Sequence, residues 1–410
     1  MKQIYYVIQT LLRGRGSNII KVLSLGLALT MSILLFVRVV FEQSYDTCYR
    51  DLDRIYQLFS IFTINGEQGE PSELNLPPVA GAVLENFPQE VEAAVSVCKY
   101  MAFGPLYNGS VRFKDYAVMA DSLFFQTLGI EVLRGDPLHE LQQKDVVFLS
   151  DRLAQKMFDD EDPVGKVINY DKQLQLTVKG IYAALPENST MNPEAVISIV
   201  SAWSRDWAEY SWEGGDSFFQ YIRFRPGVKV DVEKFNARLE TVIHNYLPQD
   251  GKDNSSYTSI VKPLRDVYRS GDMVKRMNAI TLILGLAILF IAAMNYVLIS
   301  ISSLSYRAKA VGVHKCNGAS GGTVFSMFLL ETGIVILLSL ILMVLLLLNF
   351  REMIEETMEV QLTSLFVFGR IWVPLVVVLG LFIVGGVLPG RMFSRIPVSQ
   401  VFRHYTEGKK

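Results

Sequence analysis

The sequence contains few cysteines, few histidines and few charged residues for its length. Its 410 residues include three cysteines and four histidines, and charged side chains make up 20% of the chain. Three cysteines are too few for a disulfide scaffold, and no CxxC pair suggests zinc. The histidines are too scattered to form one metal site. With a net charge of -2, the chain has no overall basic field that would favour a nucleic acid partner.

The sequence also lacks the motifs of common catalytic sites. It has no GxxxxGKS or GxxxxGKT loop, no HExxH pair and no convincing nucleophile elbow. Without the glycine-rich loop, the chain has no backbone cradle for the phosphates of ATP. We therefore expect a protein that is not an enzyme and that binds no cofactor of its own.

Half of the residues are hydrophobic, and many of them fall into four nearly uncharged runs. A helix needs about 20 apolar residues to cross the hydrocarbon core of a bilayer. These runs predict four membrane spans, which we call spans 1 to 4, at residues 18–41, 278–305, 321–350 and 371–389. Span 1 is longer than the apolar region of a signal peptide, and no cleavage site follows it, so we expect it to remain as an anchor.

The stretch between spans 1 and 2, residues 42–277, alternates polar and apolar side chains. Strands are predicted at 55–63, 146–149, 174–181 and 218–224. A helix is predicted at 232–246, and Ser150 is expected to cap another that runs to Phe158. The predicted fold class is a membrane α-helical protein with four transmembrane helices and a large extracytoplasmic α+β domain between helices one and two.

Basic residues predict the orientation, because short cytosolic loops carry an excess of lysine and arginine. They are Lys2, Arg13, Arg15, Lys21, Arg307, Lys309, Lys315, Arg391, Arg395, Arg403, Lys409 and Lys410. Both termini, the loop 306–320 and the tail 390–410 are therefore expected in the cytosol, with 42–277 and a short loop at 351–370 outside. Residues 1–17 are apolar on one helical face, which is typical of either an interfacial amphipathic helix or an extension of span 1.

Two features of the external domain leave alternatives open. Cys48 and Cys98 would lie in an oxidising space, where they either form a disulfide or remain two free thiols. Trp203, Trp207 and Trp212 are close together in the sequence, near a pair of glycines. They form either an exposed binding lip or part of the packed interior, and packing is the favoured interpretation.

The loop between spans 2 and 3 is short and basic, and it contains two glycines. From Arg307 to Ser320 it consists of Arg-Ala-Lys-Ala-Val-Gly-Val-His-Lys-Cys-Asn-Gly-Ala-Ser. A segment of this length cannot form a domain, but it can form a helix that enters a groove on a cytosolic partner. Gly318 would end that helix, and Ser320 would cap the next one. The alternative is a loop whose charges only anchor the chain.

This loop resembles the coupling helix of the MacB/FtsX-type ABC transporter permeases, a group that includes LolC and LolE. The matching residues are Arg307, Lys309, Gly312, Val313, Lys315, Gly318, Ala319 and Ser320. Ala310 and His314 depart from the family, which has glutamate and arginine there. Further resemblances occur at Ser44-Tyr45-Asp46, Asp53-Arg54-Ile55-Tyr56, Asp162 to Lys166, and Pro186-x-Asn188-Ser189.

The resemblance implies a permease subunit of the bacterial cytoplasmic (inner) membrane. Its implied partners are a MacB/LolD-type ABC ATPase that binds ATP and Mg²⁺, a second permease in a homodimer or heterodimer, and a periplasmic adaptor or hydrolase. ATP hydrolysis would drive conformational work of the external domain, for efflux or extraction of a hydrophobic compound, peptide or lipoprotein. The residues implied to couple to the ATPase are Arg307, Lys309, Gly312, Val313, Lys315 and Gly318.

Two other functions remain open at this stage. One is an FtsX-like regulatory permease that activates an external cell-wall hydrolase, and the other is a membrane receptor without an ATPase.

Two polar residues inside the predicted spans are candidate site residues. Glu331 falls in span 3, where an ionisable group is costly and marks a candidate functional site. The alternative is that span 3 starts near the cytosolic interface and Glu331 either snorkels or pairs with the ATPase-proximal helices. Asn295 falls in span 2, and we expect it to hydrogen-bond a neighbouring span.

Overall fold

The computed structural model describes residues 15–99, 102, 104–114, 116–215, 217–247, 255–302 and 320–394. The chain divides into two compact units. The first, here called the membrane unit, comprises Met1–Gln43 and Lys275–Lys410. The second, here called the sheet unit, comprises Ser44–Val274.

The helices in chain order are α1 (Arg15–Gln43), α2 (Val79–Asn86), α3 (Phe124–Leu128), α4 (Pro137–Glu140), α5 (Asp151–Phe158), α6 (Val200–Trp203), α7 (Val232–Tyr246), α8 (Leu264–Ser270), α9 (Asp272–Ser302), α10 (Gly321–Asn349), α11 (Arg351–Met358), α12 (Leu362–Leu365), α13 (Trp372–Phe382) and α14 (Leu388–Ser394). Single 3₁₀ turns lie at Leu52–Arg54 and Phe368–Arg370, and a π-helical segment lies at Ile383–Val387.

Four helical stretches of the membrane unit are long and apolar enough to cross a membrane. Spans 1, 2 and 3 are α1, α9 and α10, and span 4 runs through α13, the π-helical segment and α14. Span 3 begins as predicted at a serine cap, because Ser320 Oγ accepts a hydrogen bond from Thr323 N at 3.3 Å. Such a cap satisfies one of the backbone donors that a helix start leaves unpaired.

Glycines allow the spans to approach each other closely. A Cβ on Gly26 of span 1 would lie 2.7 Å from Leu342 Cδ2 of span 3. A Cβ on Gly285 of span 2 would lie 2.8 Å from the Phe36 ring of span 1. Since association of helices in lipid depends on close packing, small residues at these contacts favour it.

The strands in chain order are β1 (Ile55–Ile64), β2 (Glu67–Gln68), β3 (Leu74–Asn75), β4 (Val91–Cys98), β5 (Leu106–Asn108), β6 (Val111–Phe113), β7 (Ala117–Ala120), β8 (Val132–Arg134), β9 (Val146–Ser150), β10 (Val167–Tyr170), β11 (Leu174–Tyr182), β12 (Ala195–Ser198), β13 (Phe218–Phe224) and β14 (Ser255–Pro263). They form one sheet with the order β14-β1-β13-β4-β7-β12-β9-β11-β10-β5-β6, beside which β2, β3 and β8 pair as short additions.

The sheet is mixed, and its topology brings the two ends of the sheet unit together. The pairs β7–β12 and β9–β11 are parallel, and the other pairs of the main path are antiparallel. Strand β1, the first after span 1, pairs along most of its length with β14, the last before span 2. The chain therefore enters and leaves the sheet unit on adjacent strands.

The core of the sheet unit lies on both faces of the sheet. Strands β7, β9, β12 and β13 are buried at every residue. Helices α2 and α7 cover part of one apolar cluster, and α3 and α5 contribute to two others. Coverage on both faces explains why β7, β9 and β12 read as nearly continuous apolar runs rather than as alternating ones.

The predicted fold class is confirmed, with four membrane-crossing helices and a large α+β domain between the first and the second. The predicted strands at 55–63, 174–181 and 218–224 are β1, β11 and β13, and the predicted helix at 232–246 is α7. Ser150 caps α5 as expected, because its Oγ accepts a hydrogen bond from Leu153 N at 2.9 Å.

Two buried glutamines on adjacent strands differ in how their side chains are satisfied. Gln220 Nε2 donates to Leu76 O at 2.9 Å, Pro77 O at 3.1 Å and Ser96 Oγ at 2.9 Å. Gln57 is equally buried, yet neither of its amide atoms has a hydrogen-bond partner within the part of the chain that the structure describes. A buried polar group without a hydrogen bond costs about 1–3 kcal/mol.

We predict that Gln57→Leu raises the free energy of unfolding by about 1–3 kcal/mol, because it removes two buried polar atoms that no group in the described part of the chain satisfies. The matched variant Gln220→Leu should lower it, because three acceptors lose their donor. Thermal unfolding of the full-length protein in detergent measures both. A lower melting temperature for Gln57→Leu than for the unmodified chain would contradict the prediction.

Candidate functional site

The chain passes from span 1 to strand β1 through residues 44–54, here called the connector. The carboxylate of Asp46 holds the connector against the loop 186–192. Asp46 Oδ1 accepts a hydrogen bond from Thr190 N, and Oδ2 accepts one from the Thr190 hydroxyl, both at 2.7 Å. Asp46 N donates to Asn188 O at 2.9 Å. Burial raises the pKa of the Asp46 carboxyl above its usual value, although the Thr190 hydrogen bonds lower it.

Two further side chains join the same segments. The Asn188 amide donates to Ser44 O at 2.6 Å and to Ser44 Oγ at 3.0 Å. The Tyr49 hydroxyl donates to Met191 O at 2.7 Å and lies 2.7 Å from Ser189 Oγ. We call this set of contacts between the connector and the loop 186–192 the connector latch. Because these polar groups are largely buried and share partners, they stabilise one another.

Arg223 of β13 fastens the far end of the connector. Its Nη2 donates to Arg50 O at 2.7 Å, and its Nε donates to Gln126 O of α3 at 2.9 Å. Gly129 ends α3 with a φ of 67°. A Cβ at Gly129 would overlap the Arg223 guanidinium and lie 2.7 Å from Arg50 O, so this position needs glycine for space as well as for conformation.

The connector also contacts α8, the helix that leads into span 2. The rings of Tyr45 and Tyr268 are stacked, with centroids 3.6 Å apart and planes 6° apart. Arg265 of α8 forms an ion pair with Asp53 of the connector at 2.9 Å. The two covalent links of the sheet unit to spans 1 and 2 therefore pack on each other.

Polar side chains from three spans converge inside the membrane unit. They are Lys21 of span 1, Tyr296 of span 2, and Glu331 and Thr332 of span 3, and we call them the polar node. Lys21 Nζ lies 3.6 Å from Glu331 Oε1 and 5.5 Å from the centre of the Tyr296 ring. The Tyr296 hydroxyl donates to Thr332 Oγ1 at 2.9 Å. The four residues are between 1% and 9% exposed, so the two charges face each other rather than lipid.

Span 4 meets the polar node at its π-helical segment, Ile383–Val387. A Cβ on Gly385 would lie 2.9 Å from the Tyr296 ring, and a Cβ on Gly386 would lie 3.1 Å from Thr332. Segments of π-helix are rare and frequently occur at functional sites. All four spans therefore contribute to one region around a buried ion pair.

The sequence-predicted site residues have different outcomes. The six residues implied to couple to an ATPase lie outside the described residues, and they are Arg307, Lys309, Gly312, Val313, Lys315 and Gly318. Glu331 lies inside span 3, where it is buried and pairs with Lys21 of span 1, and its functional role stays a prediction. Asn295 lies on the exposed side of span 2, and among the described residues its side chain forms no hydrogen bond to another span of this chain.

The alternatives for the cysteines and tryptophans are also resolved. Cys48 lies on the connector and Cys98 at the end of β4, and no disulfide joins them. Within the residues that the structure describes, no group of three histidine, cysteine, aspartate or glutamate side chains could hold a metal ion.

The tryptophans pack at separate places rather than forming one lip. Trp203 contacts Tyr210 with ring centroids 5.5 Å apart, and Trp212 stacks on Tyr246 at 5.0 Å. Trp207 remains 39% exposed and lies beside Arg205.

The sequence did not identify which residues contact each other in the polar node or around the connector. The charge pattern groups Lys21 with the basic residues at the N-terminal end of the chain, although Lys21 is flanked by Ile19, Ile20 and Val22. A lysine with apolar neighbours on both sides at a span end is a usable signal for a buried partner. Thr190 and Tyr268 carry no such signal, because nothing in the local pattern of a loop or a short helix indicates what it contacts.

Comparison with known families accounts for the membrane unit. Residues 282–398, which include most of span 2 and all of spans 3 and 4, match the model of the FtsX-like permease C-terminal domain. The chain thus contains an FtsX-like permease C-terminal domain. The resemblance noted from the loop and the other motifs is thereby confirmed. Members of this family are permease components of ABC transporters. No curated protein matches the chain.

Three solved structures resemble about half of this chain. A domain of a proposed permease protein from Porphyromonas gingivalis is 21% identical, covers 53% of this chain and 92% of its own, and has a TM-score of 0.46. The periplasmic region of MacB from Actinobacillus actinomycetemcomitans is 16% identical, covers 52% of this chain and 91% of its own, and has a TM-score of 0.36. The extracellular domain of the noncanonic ABC-type transporter YknZ from Gram-positive bacteria is 11% identical, covers 50% of this chain and 99% of its own, and has a TM-score of 0.36.

We predict that Asp46→Ala loosens the connector latch of this permease, whereas Asp46→Asn largely preserves it. Alanine removes both hydrogen bonds to Thr190, and hydrogen bonds to a charged group contribute about 1.5–3 kcal/mol each. Alanine also tolerates the Asp46 φ of 60° less well than asparagine does. Hydrogen exchange of the Thr190 amide in the full-length protein should accelerate strongly only in Asp46→Ala. Equal protection in both variants would show that the carboxylate does not hold the loop.

Proposed function

We propose that the chain couples ATP hydrolysis in a separate ATPase subunit to movement of its sheet unit outside the membrane. The observation that supports this proposal is that the two segments joining the sheet unit to spans 1 and 2 are both held by specific contacts. The connector after span 1 and α8 before span 2 stack through Tyr45 and Tyr268, and the connector latch and Arg223 hold the connector to the body of the sheet unit. A displacement of spans 1 and 2 would therefore move the sheet unit as a body instead of extending a slack tether.

The energy for this movement would come from the partner. The sequence has no loop for ATP phosphates, so ATP and Mg²⁺ would bind to a MacB/LolD-type ATPase. The loop 306–320 would form the coupling helix on that ATPase, with Arg307, Lys309 and Lys315 supplying the positive charges. The excess of basic residues at the same ends of the spans supports an orientation with both termini in the cytosol and the sheet unit outside the inner membrane.

A second permease would complete the membrane part of the complex, as a homodimer or a heterodimer. Span 2 exposes large apolar side chains that include Ile283, Phe290 and Leu298. Asn295 lies among them, and a polar side chain in hydrocarbon is stabilised by a hydrogen bond from a neighbouring helix. The transmitted work would serve efflux or extraction of a hydrophobic compound, peptide or lipoprotein at the external side.

Purification of the tagged full-length chain under mild detergent tests the proposal. An ATPase with a GxxxxGKS or GxxxxGKT loop should be recovered with it. An external adaptor in the same sample supports efflux, and a cell-wall hydrolase identifies the regulatory alternative. Recovery of the chain without any ATPase, at detergent conditions that preserve its fold, would leave the receptor alternative and overturn the coupling function.

We predict that Gly312→Leu or Gly318→Leu weakens retention of the ATPase by about tenfold or more, because a bulky side chain in a packed contact costs at least about 1.4 kcal/mol. Gly369→Leu is the matched control, because a Cβ there meets no atom within 4 Å. The ratio of ATPase to permease in the purified sample measures the effect, and the melting temperature should be unchanged in all three variants. Full retention in both loop variants would contradict the role assigned to the loop.

A further inference from the structure

We propose that the polar node is the point at which the four spans are mechanically coupled, with Lys21 and Glu331 as positioning residues that pass motion of the loop 306–320 to the connector. This inference rests on the proposed function. It adds the place among the four spans where movement of the loop would be passed on to the connector, which neither the sequence motifs nor the family match assigns.

The polar node lies close to the loop 306–320 along the chain. With a rise of about 1.5 Å per residue, Glu331 lies about 16 Å along span 3 from Ser320, and Tyr296 lies about 9 Å along span 2 from Ser302. Both helices are continuous over these distances. A force on the loop would therefore be passed along these two helices to Tyr296 and Glu331.

The polar node can transmit this force because it joins three spans through polar contacts, and the hydrogen bond from Ser339 Oγ to Val22 O at 3.3 Å adds to the link between spans 3 and 1. Glu331 and Thr332 are adjacent on span 3, so one pairs with Lys21 of span 1 while the other accepts the hydrogen bond of Tyr296. Apolar surfaces slide in lipid at little cost, but separating two buried opposite charges costs several kcal/mol. Spans 1, 2 and 3 should therefore move together near the node.

Span 4 is built to follow a movement of Tyr296. The glycines of its π-helical segment leave no side chain between the backbone and Tyr296 or Thr332. A π-helical turn contains one extra residue, so it can be converted to an α-helical turn by a local change of register. Lys21 lies on the same unbroken helix as Gln43, which precedes the connector, and a shift of Lys21 would therefore be passed along span 1.

Hydrogen exchange of the full-length chain with its co-purified ATPase in nanodiscs tests the inference. The measured quantity is the change in exchange at residues 44–49 when ATP and vanadate are added. In Lys21→Met and in Glu331→Gln we expect this change to fall about fivefold or more, within the usual range of coupling between sites. ATP hydrolysis itself should continue, because the nucleotide sites lie in the partner.

Three further variants separate coupling from simple damage. The exchanged pair Lys21→Glu with Glu331→Lys should restore most of the response, because the opposite charges face each other again. Glu42→Gln is the control for Glu331→Gln, because it also neutralises the glutamate of an ion pair, the pair between Arg38 and Glu42 within span 1. It should leave the exchange response intact. Should the single variants fail to assemble, Lys21→Arg and Glu331→Asp keep the charges while altering the geometry, and a reduced response in them supports the inference.

The outcomes distinguish this inference from the function on which it rests. A normal response in Lys21→Met and Glu331→Gln, or in the conservative variants where those are needed, overturns the role of the polar node and leaves the permease function standing. Absence of any nucleotide response in the unmodified complex overturns the proposed function itself.

Discussion

A charge buried among membrane helices requires a partner, and this constraint fixes the arrangement of the membrane unit. Lys21 and Glu331 satisfy it for each other across spans 1 and 3, with the Tyr296 ring beside the ammonium group. The close contact of Gly26 with Leu342 continues the same helix pair farther along span 1. Spans 1 and 3 are thus held by charge near one end and by close packing beyond it, which gives the bundle a defined register.

Specific contacts also hold the two segments that join the sheet unit to spans 1 and 2. Pairing of β1 with β14 places the incoming and outgoing chain side by side. The connector latch then fixes the incoming segment, and the stacked tyrosines join it to α8. A domain that merely hung from the membrane would not need buried hydrogen bonds at its links. Their presence is the reason to regard the links as rigid parts of the domain.

The two regions place strong, directional contacts where the chain changes direction or environment. Apolar surfaces supply most of the burial elsewhere, in the covered strands of the sheet and along the spans. Apolar contacts are not directional, whereas ion pairs and hydrogen bonds lose their strength over small displacements. The proposed coupling would need both, because packing provides stiffness and polar contacts define discrete positions.

The sequence by itself determined the number of spans, the position of the large domain and several of its elements. These features depend on local composition, since a run of apolar residues or a period of two or 3.6 is visible without knowledge of the rest of the chain. Glu331 was also visible, as a charge within an apolar run. Its partner was not, because Lys21 lies far away in the sequence and resembles an ordinary basic flank. Only the tertiary structure brought Lys21 to Glu331, Asp46 to Thr190 and Tyr45 to Tyr268, since contacts between distant segments depend on how whole helices and strands pack.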